Sequence, residues 1–319
     1  MESRTSVLIE NRKGLDDLFS RSRSSPVCAI DTEADSLHRY RESLCLVQFA
    51  SPDESVLIDP LALDDLLPLR DFLHSATVWM HGADYDMTML RREFGSLPER
   101  VFDTQIGARL LGVRKFGLAN LVEHYFDVKL SKSSQKADWG RRPLSDKMVE
   151  YALNDVRYLL PMADKIVAGL KELGRYDWFV ESCGAAQTKV LERDETREEP
   201  WRVQGAGRLE RKGLNFLKEL WHWRDEEARS WDRPTFMVAT NRQLVEWSTR
   251  LAGGKSVEVP GHYRGDRRRR LNETIAKAKS MPSADHPQRV RGLRRRRDGD
   301  FERRVAELIE RRSWTSIRR

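Results

Sequence analysis

A chain of 319 residues, 39% of them hydrophobic, has room for about two domains with cores of ordinary size. No apolar run approaches the ~20 residues that span a bilayer, and the N-terminal MESRTSVLIENRKG lacks the apolar core and cleavage site of a secretory signal. Three cysteines without metal-site spacing read as small core filler, and together these features predict a protein of the reducing cytoplasm. Charge is split along the chain. From Trp201 onward there are 30 Lys+Arg against 16 Asp+Glu, net +14, which leaves residues 1–200 at net −7. An acidic first part suits a metal-binding catalytic domain, and a basic second part suits a module that neutralises the phosphates of a polyanion.

In chain order, VCAIDTE (Val27 to Glu33) reads as a buried strand ending in two carboxylates, followed by strands at 44–50, which carries Gln48, and at 55–58. A helix is predicted near 62–74, a strand at 77–80 leading to His81, and a helix at 85–94 opened by Asp86. Helical patterns recur near 103–111, 117–126 and 145–172, the last containing Tyr151 and Asp155. Between them, 127–144 reads as a polar loop carrying Lys132 and Gln135. Hairpin-linked strands followed by strand–helix alternation predict a mixed sheet with helices packed on it.

ERDETREEPW (Glu192 to Trp201) reads as a hinge. Apolar residues then recur at helical spacing as far as Pro234. A short segment at 234–239, a helix across 241–251, the Gly253-Gly254 turn and a final helix ending near Pro282 complete an all-helical second domain. Its Trp221, Trp223, Trp231 and Trp247 read mostly as core. The expected division is 1–195, 205–285 and a basic tail at 286–319.

Side chains alternate across a strand, so Asp31 and Glu33 share a face. Tyr151 and Asp155, four apart on a helix, share one too. Carboxylates gathered at strand and helix ends repel one another unless cations neutralise them, and hard oxygen ligands suit Mg²⁺ or Mn²⁺. Asp84 competes with Asp86 for the middle position; the spacing from His81 and into MTML favours Asp86. Asp103 reads as a helix N-cap. His81 is either a buried histidine bonded to backbone or a contact to a scissile phosphate. Gln48 either touches substrate or satisfies a buried group. Lys132 and Gln135 either reach the phosphate backbone or decorate a solvated loop. Two tetra-arginine runs, Arg267, Arg268, Arg269 and Arg270, then Arg294 to Arg297, are expected to contact nucleic acid.

The order Asp-x-Glu, His-x-x-x-x-Asp, Tyr-x-x-x-Asp resembles the DEDD superfamily of 3′-to-5′ exonucleases, in its tyrosine subgroup. LCLVQFA, VFDTQIGARLL, GLANLVEHYF and KSSQKADWGRRPL narrow the likeness to the ribonuclease D family, with Ala137 where that family usually has serine. WRDEEARSWDRPTFMVATNRQLVEWS resembles the helicase-and-RNase-D C-terminal (HRDC) domain. The resemblance covers roughly residues 5 to 285. It implies a ribonuclease H-like α/β fold followed by a small all-α HRDC bundle, the tail being basic extension or a degenerate second module. It also implies a monomeric exoribonuclease releasing 5′-mononucleotides from RNA 3′ ends such as tRNA precursors. Two divalent ions would be held by Asp31, Glu33, Asp86 and Asp155, with Asp31 bridging them and Tyr151 orienting the attacking water. The alternatives are a DNA 3′-to-5′ exonuclease on the same acids and an RNA-binding factor without catalysis.

Overall fold

The computed structural model describes residues 8–22, 26–131, 133–193, 198–263, 265–289 and 303. Lys132 and most of the tail, including Arg294 to Arg297, lie outside the described residues. The chain divides into two compact units: Met1–Arg197 with Ala228–Pro234, and Glu198–Glu227 with Thr235–Arg319.

The first unit is built on a six-stranded mixed sheet in the order β1-β4-β3-β2-β5-β6. Its strands are β1 (Leu8–Ile9), β2 (Val27–Ala34), β3 (Leu44–Ala50), β4 (Ser55–Ile58), β5 (Thr77–Met80) and β6 (Arg100–Asp103). The β2–β3–β4 ribbon is antiparallel, while β1 joins β4, and β5 and β6 join β2, in parallel. Helices α1 (Arg12–Ser22), α2 (Leu67–Ser75), α3 (Asp84–Phe94), α4 (Thr104–Leu110), α5 (Leu118–Phe126), α6 (Asp146–Arg157), α7 (Leu159–Glu172) and α8 (Tyr176–Leu191) surround it. The expected 145–172 helix is interrupted at Tyr158. The helix expected from 62 starts only at Leu67, where Pro68 takes a first-turn position that requires no N–H.

Strand parity decides what each face carries. Cys28 and Ile30 of β2 point to one side, into a core with Leu15, Leu18 and Phe19 of α1, Leu69 and Phe72 of α2, and Met87 and Leu90 of α3. Ala29 points to the other side, into a core with Val156, Leu159, Met162 and Ile166. Asp31 and Glu33 share the parity of Ala29, so the same alternation that seals the sheet carries both acids to the α6–α7 side. They sit at the carboxyl end of β2, beside the carboxyl end of parallel β5, where open α/β sheets leave a crevice.

The second unit contains α9 (Arg211–Trp231) as far as Glu227, together with α10 (Thr235–Val238), α11 (Asn241–Ala252) and α12 (Gly265–Ser280). Thr240 and Gln243 form a reciprocal capping box that starts α11. Trp223, Trp247 and Tyr263 meet at ring distances of 5.9 to 6.5 Å and fill the bundle with Leu217, Leu220, Leu244 and Leu271. No described helix is long and apolar enough to cross a membrane.

Candidate active site

A cleft of about 440 Å³ opens at the carboxyl ends of β2 and β5, lined by Asp31, Glu33, His81, Asp86, Gln135, Tyr151 and Asp155 among others. The carboxylates of Asp31, Glu33 and Asp155 each bring an oxygen within 4.8 Å of the others. Two come from one strand and the third from α6, which lies over β2 and β3. Ser145 caps α6 by accepting from the Met148 N–H, fixing the rotation that turns Tyr151 and Asp155 to the cleft.

Asp86 stands beside this trio and is held differently. Its Oδ1 accepts from the Thr32 N–H at 3.0 Å and the Thr32 hydroxyl at 2.6 Å, leaving Oδ2 for another partner. Thr32, flanked by Asp31 and Glu33, therefore ties α3 to β2. Sequence reading passed it over because a threonine in a strand signals only β-propensity. Asp84 is separated from the site: its side chain is 62% exposed and bound to Arg193 at 2.5 Å.

Among the described residues, no arginine or lysine pairs with any of these four acids, and the electrostatics show it. Burial first, then repulsion from Asp86, Asp155 and Glu33, raises the Asp31 carboxyl well above its usual range. Burial and the repulsion of Asp155 and Asp86 push Glu33 up to about 9. Asp86 rises to about 6 through burial, moderated by the two Thr32 bonds. Asp155 rises to about 7 through burial, moderated by the Tyr151 hydroxyl that donates to it. Burial and the surrounding carboxylates raise Tyr151 far above an ordinary phenol, so its hydroxyl stays protonated. Clustered oxygen donors without an internal counter-charge are the donor set of a hard divalent cation.

Asp103 caps α4, as expected, by accepting from the Gln105 N–H at 2.7 Å. The same carboxylate accepts from the Gly82 and Ala83 N–H groups at 2.9 and 3.0 Å, fixing the turn between β5 and α3. Gly82 makes that turn at φ +69°, a region glycine enters freely. His81 bonds through Nδ1 to the Thr104 hydroxyl at 2.9 Å. That hydroxyl donates to the Met80 carbonyl, so His81 Nδ1 is the donor of the pair, while Nε2 is enclosed. Burial holds the imidazole below its usual pKa.

Gln48 and the arginine run, both candidates for substrate contact, are respectively buried and largely ion-paired. Gln48 is fully enclosed, with 0% exposure, because it shares Asp31's face of the sheet at a central position beneath α6. The arginine run of α12 is largely committed within its own unit. Arg267 bonds to Glu227 at 3.1 Å, Arg270 engages the same carboxylate, and Arg269 pairs with Asp266 and Glu273. Only Arg268 of the four is exposed without an ion-pair partner among the described residues.

The KSSQKADWGRRPL block also proves to be architecture. Arg142 forks onto the buried Asp59 at 2.5 and 2.6 Å and bonds to the carbonyls of Cys45 and Trp139. Trp139, 1% exposed, lies 6.0 Å from the Tyr151 ring, so the block backs the helix that presents Tyr151. Ala137 joins the apolar cluster around Trp139.

The family described as "3'-5' exonuclease" matches residues 6–171, and the HRDC domain family matches residues 213–252. Ribonuclease D of Musicola paradisiaca is 31% identical over 299 residues, covering 90% of this chain and 78% of that protein. The crystal structure of Escherichia coli RNase D, described as an exoribonuclease involved in structured RNA processing, superposes with TM-score 0.70 at 30% identity. That match covers 89% of this chain and 77% of the other. Brucella melitensis NrnC with bound Mg²⁺ matches 60% of this chain and 98% of its own, with TM-score 0.50 at 26% identity.

Proposed function

The chain belongs to the ribonuclease D family and is a 3′-to-5′ exoribonuclease; we propose that it removes 5′-mononucleotides from RNA 3′ ends at the Asp31–Glu33–Asp86–Asp155 cluster, with two Mg²⁺ or Mn²⁺ ions. The observation that carries this reading is the convergence of three carboxylates within 4.8 Å on a cleft that also presents Tyr151. When bound, divalent ions supply stabilisation of the charge that develops on the scissile phosphate and acidify the attacking water. Asp31, Glu33 and Asp155 would hold the ions, with the carboxylate of Asp86 beside them.

Tyr151 orients the attacking water through its hydroxyl and does not act as the base, because its proton is held tightly. His81 lines the cleft but its Nε2 is enclosed, so its part is to hold the end of β5 through Thr104. Gln135 lines the cleft from the loop that precedes Tyr151, where its amide would meet the phosphate backbone of the RNA. The proposed substrates are tRNA precursors and other small structured RNAs, gripped in part by the basic second unit, by a monomeric cytoplasmic enzyme.

The test is release of nucleoside 5′-monophosphates from a 3′-labelled RNA, with Mg²⁺ or Mn²⁺ and then with EDTA, beside Asp31→Asn. Stepwise, EDTA-sensitive release that Asp31→Asn lacks is expected. Internal cleavage, or undiminished release in EDTA, would refute it. Competition by a matched DNA oligonucleotide separates an RNA enzyme from a DNA exonuclease.

A further inference from the structure

Gln48 occupies the middle of β3, itself interior to the sheet, in register with Asp31 on one side and Leu57 on the other. Residues opposite one another on neighbouring strands place their Cβ atoms about 5 Å apart on one face. That face carries Leu46 and Leu57 into an apolar cluster with Ala152 and Leu153 of α6. Within this setting the Gln48 side chain is completely buried, and neither Nε2 nor Oε1 has a hydrogen-bond partner among the described residues. A leucine would fill the same space with no polar group to satisfy. A buried, unpartnered amide is uncommon and calls for a reason.

We infer that Gln48 is a positioning residue for the metal centre, its buried Nε2–H donating to the Asp31 carboxylate on the neighbouring strand when that carboxylate holds the cations. The inference rests on the reading of Asp31 as a metal ligand. The Asp31 carboxylate lies one strand away on the same face, and the donation sets which of its oxygens faces the ions. Groups that orient a ligand in this way commonly change metal affinity by about 10- to 100-fold when removed. Glutamine rather than glutamate suits the place, since a fifth carboxylate would add repulsion without a proton to donate when ionised.

The experiment compares wild type, Gln48→Met, Gln48→Leu and Asp155→Asn by Mn²⁺ calorimetry and by thermal unfolding in EDTA. Both Gln48 variants are expected to unfold at or above the wild-type temperature in EDTA, because they lose an unsatisfied amide. Both should bind Mn²⁺ about 10- to 100-fold more weakly, with KM for RNA unchanged and turnover recovered at high Mn²⁺. Wild-type Mn²⁺ affinity in both variants overturns the inference while leaving the metal site standing. So does a marked loss of stability in EDTA, or failure of both to fold, since the amide would then be structural. A raised KM at saturating Mn²⁺ would restore Gln48 as a substrate contact. If wild type itself binds no Mn²⁺, or binds no better than Asp155→Asn, the metal reading fails first and independently.

Discussion

Two acidic centres in this molecule are resolved in opposite ways. In the second unit Glu227, 3% exposed, is met by Arg267 and Arg270. Burial alone would push its carboxyl up, but the two guanidinium groups outweigh that and hold it below its usual range. In the first unit four carboxylates share a cleft with no internal cation among the described residues, and all four are raised. A buried acid with its own arginines is finished when the chain folds. A cluster without them is completed only from outside, and the lack of a partner is what marks the functional centre.

The contrast breaks most visibly at Asp31. Asp31→Asn should lower turnover by at least about 10²–10³-fold, while the melting temperature in EDTA stays level or rises, because a repelling charge is gone. Mononucleotide release and thermal unfolding on one preparation check both. A variant that is inactive and also markedly less stable would make Asp31 structural. Tyr151→Phe removes only the hydroxyl and should cost about 10²-fold in turnover with Mn²⁺ affinity close to wild type. Loss of Mn²⁺ binding as deep as in Asp155→Asn would make Tyr151 part of the metal frame.

The pH dependence sharpens the comparison. Glu33, Asp86 and Asp155 have folded-state values of about 9, 6 and 7, all above those of the free side chains. The folded metal-free protein therefore binds more protons than the unfolded chain between about pH 4 and pH 9. Its stability should fall as pH rises through that window in EDTA. Mn²⁺ should raise the melting temperature more at pH 8 than at pH 5, since cations compete with protons for the same oxygens. A flat EDTA profile would contradict the crowding.

In the paired centre the signs reverse. Glu227→Gln should destabilise the protein by about 1–3 kcal/mol, toward the lower end because Arg270 is 45% exposed. Its effect on mononucleotide release from a short oligomer should be small. The smallest effect expected is that of Arg268→Glu: a salt slope of RNA binding shallower by about 0.7–0.9, with turnover on a short oligomer unchanged. An unaltered slope would remove Arg268 from the RNA surface.

The sequence carried the central strands and the acids because both leave periodic traces. VCAIDTE is apolar on both faces until the carboxylates begin, as a strand covered on two sides must be. Short β1 and β6 went unread: two and four residues are too few for a period to show. The break at Tyr158 was hidden because apolar spacing continues through it. The ion pairing of the tetra-arginine run was hidden for a different reason. Glu227, which binds two of its members, is some forty positions earlier, and only folding reveals such a partner. Gln48 and Asp103 were each legible as residue types but not as roles, since burial and the number of bonds made are properties of the folded chain.

Asp103 shows how narrow a position can be without touching substrate. Three backbone N–H groups from two different junctions point at its two oxygens. Asparagine would turn an amide hydrogen toward at least one of them, glutamate would overreach by a methylene, and serine would leave donors unanswered. The start of α3, and with it the placement of Asp86, is thus set by a side chain twenty residues downstream whose chemistry admits a single solution. Tolerance to substitution here should be as low as at the ligands themselves. A mutational scan scored by activity would place Asp103 among the site residues, although its work is entirely that of a rivet between two turns.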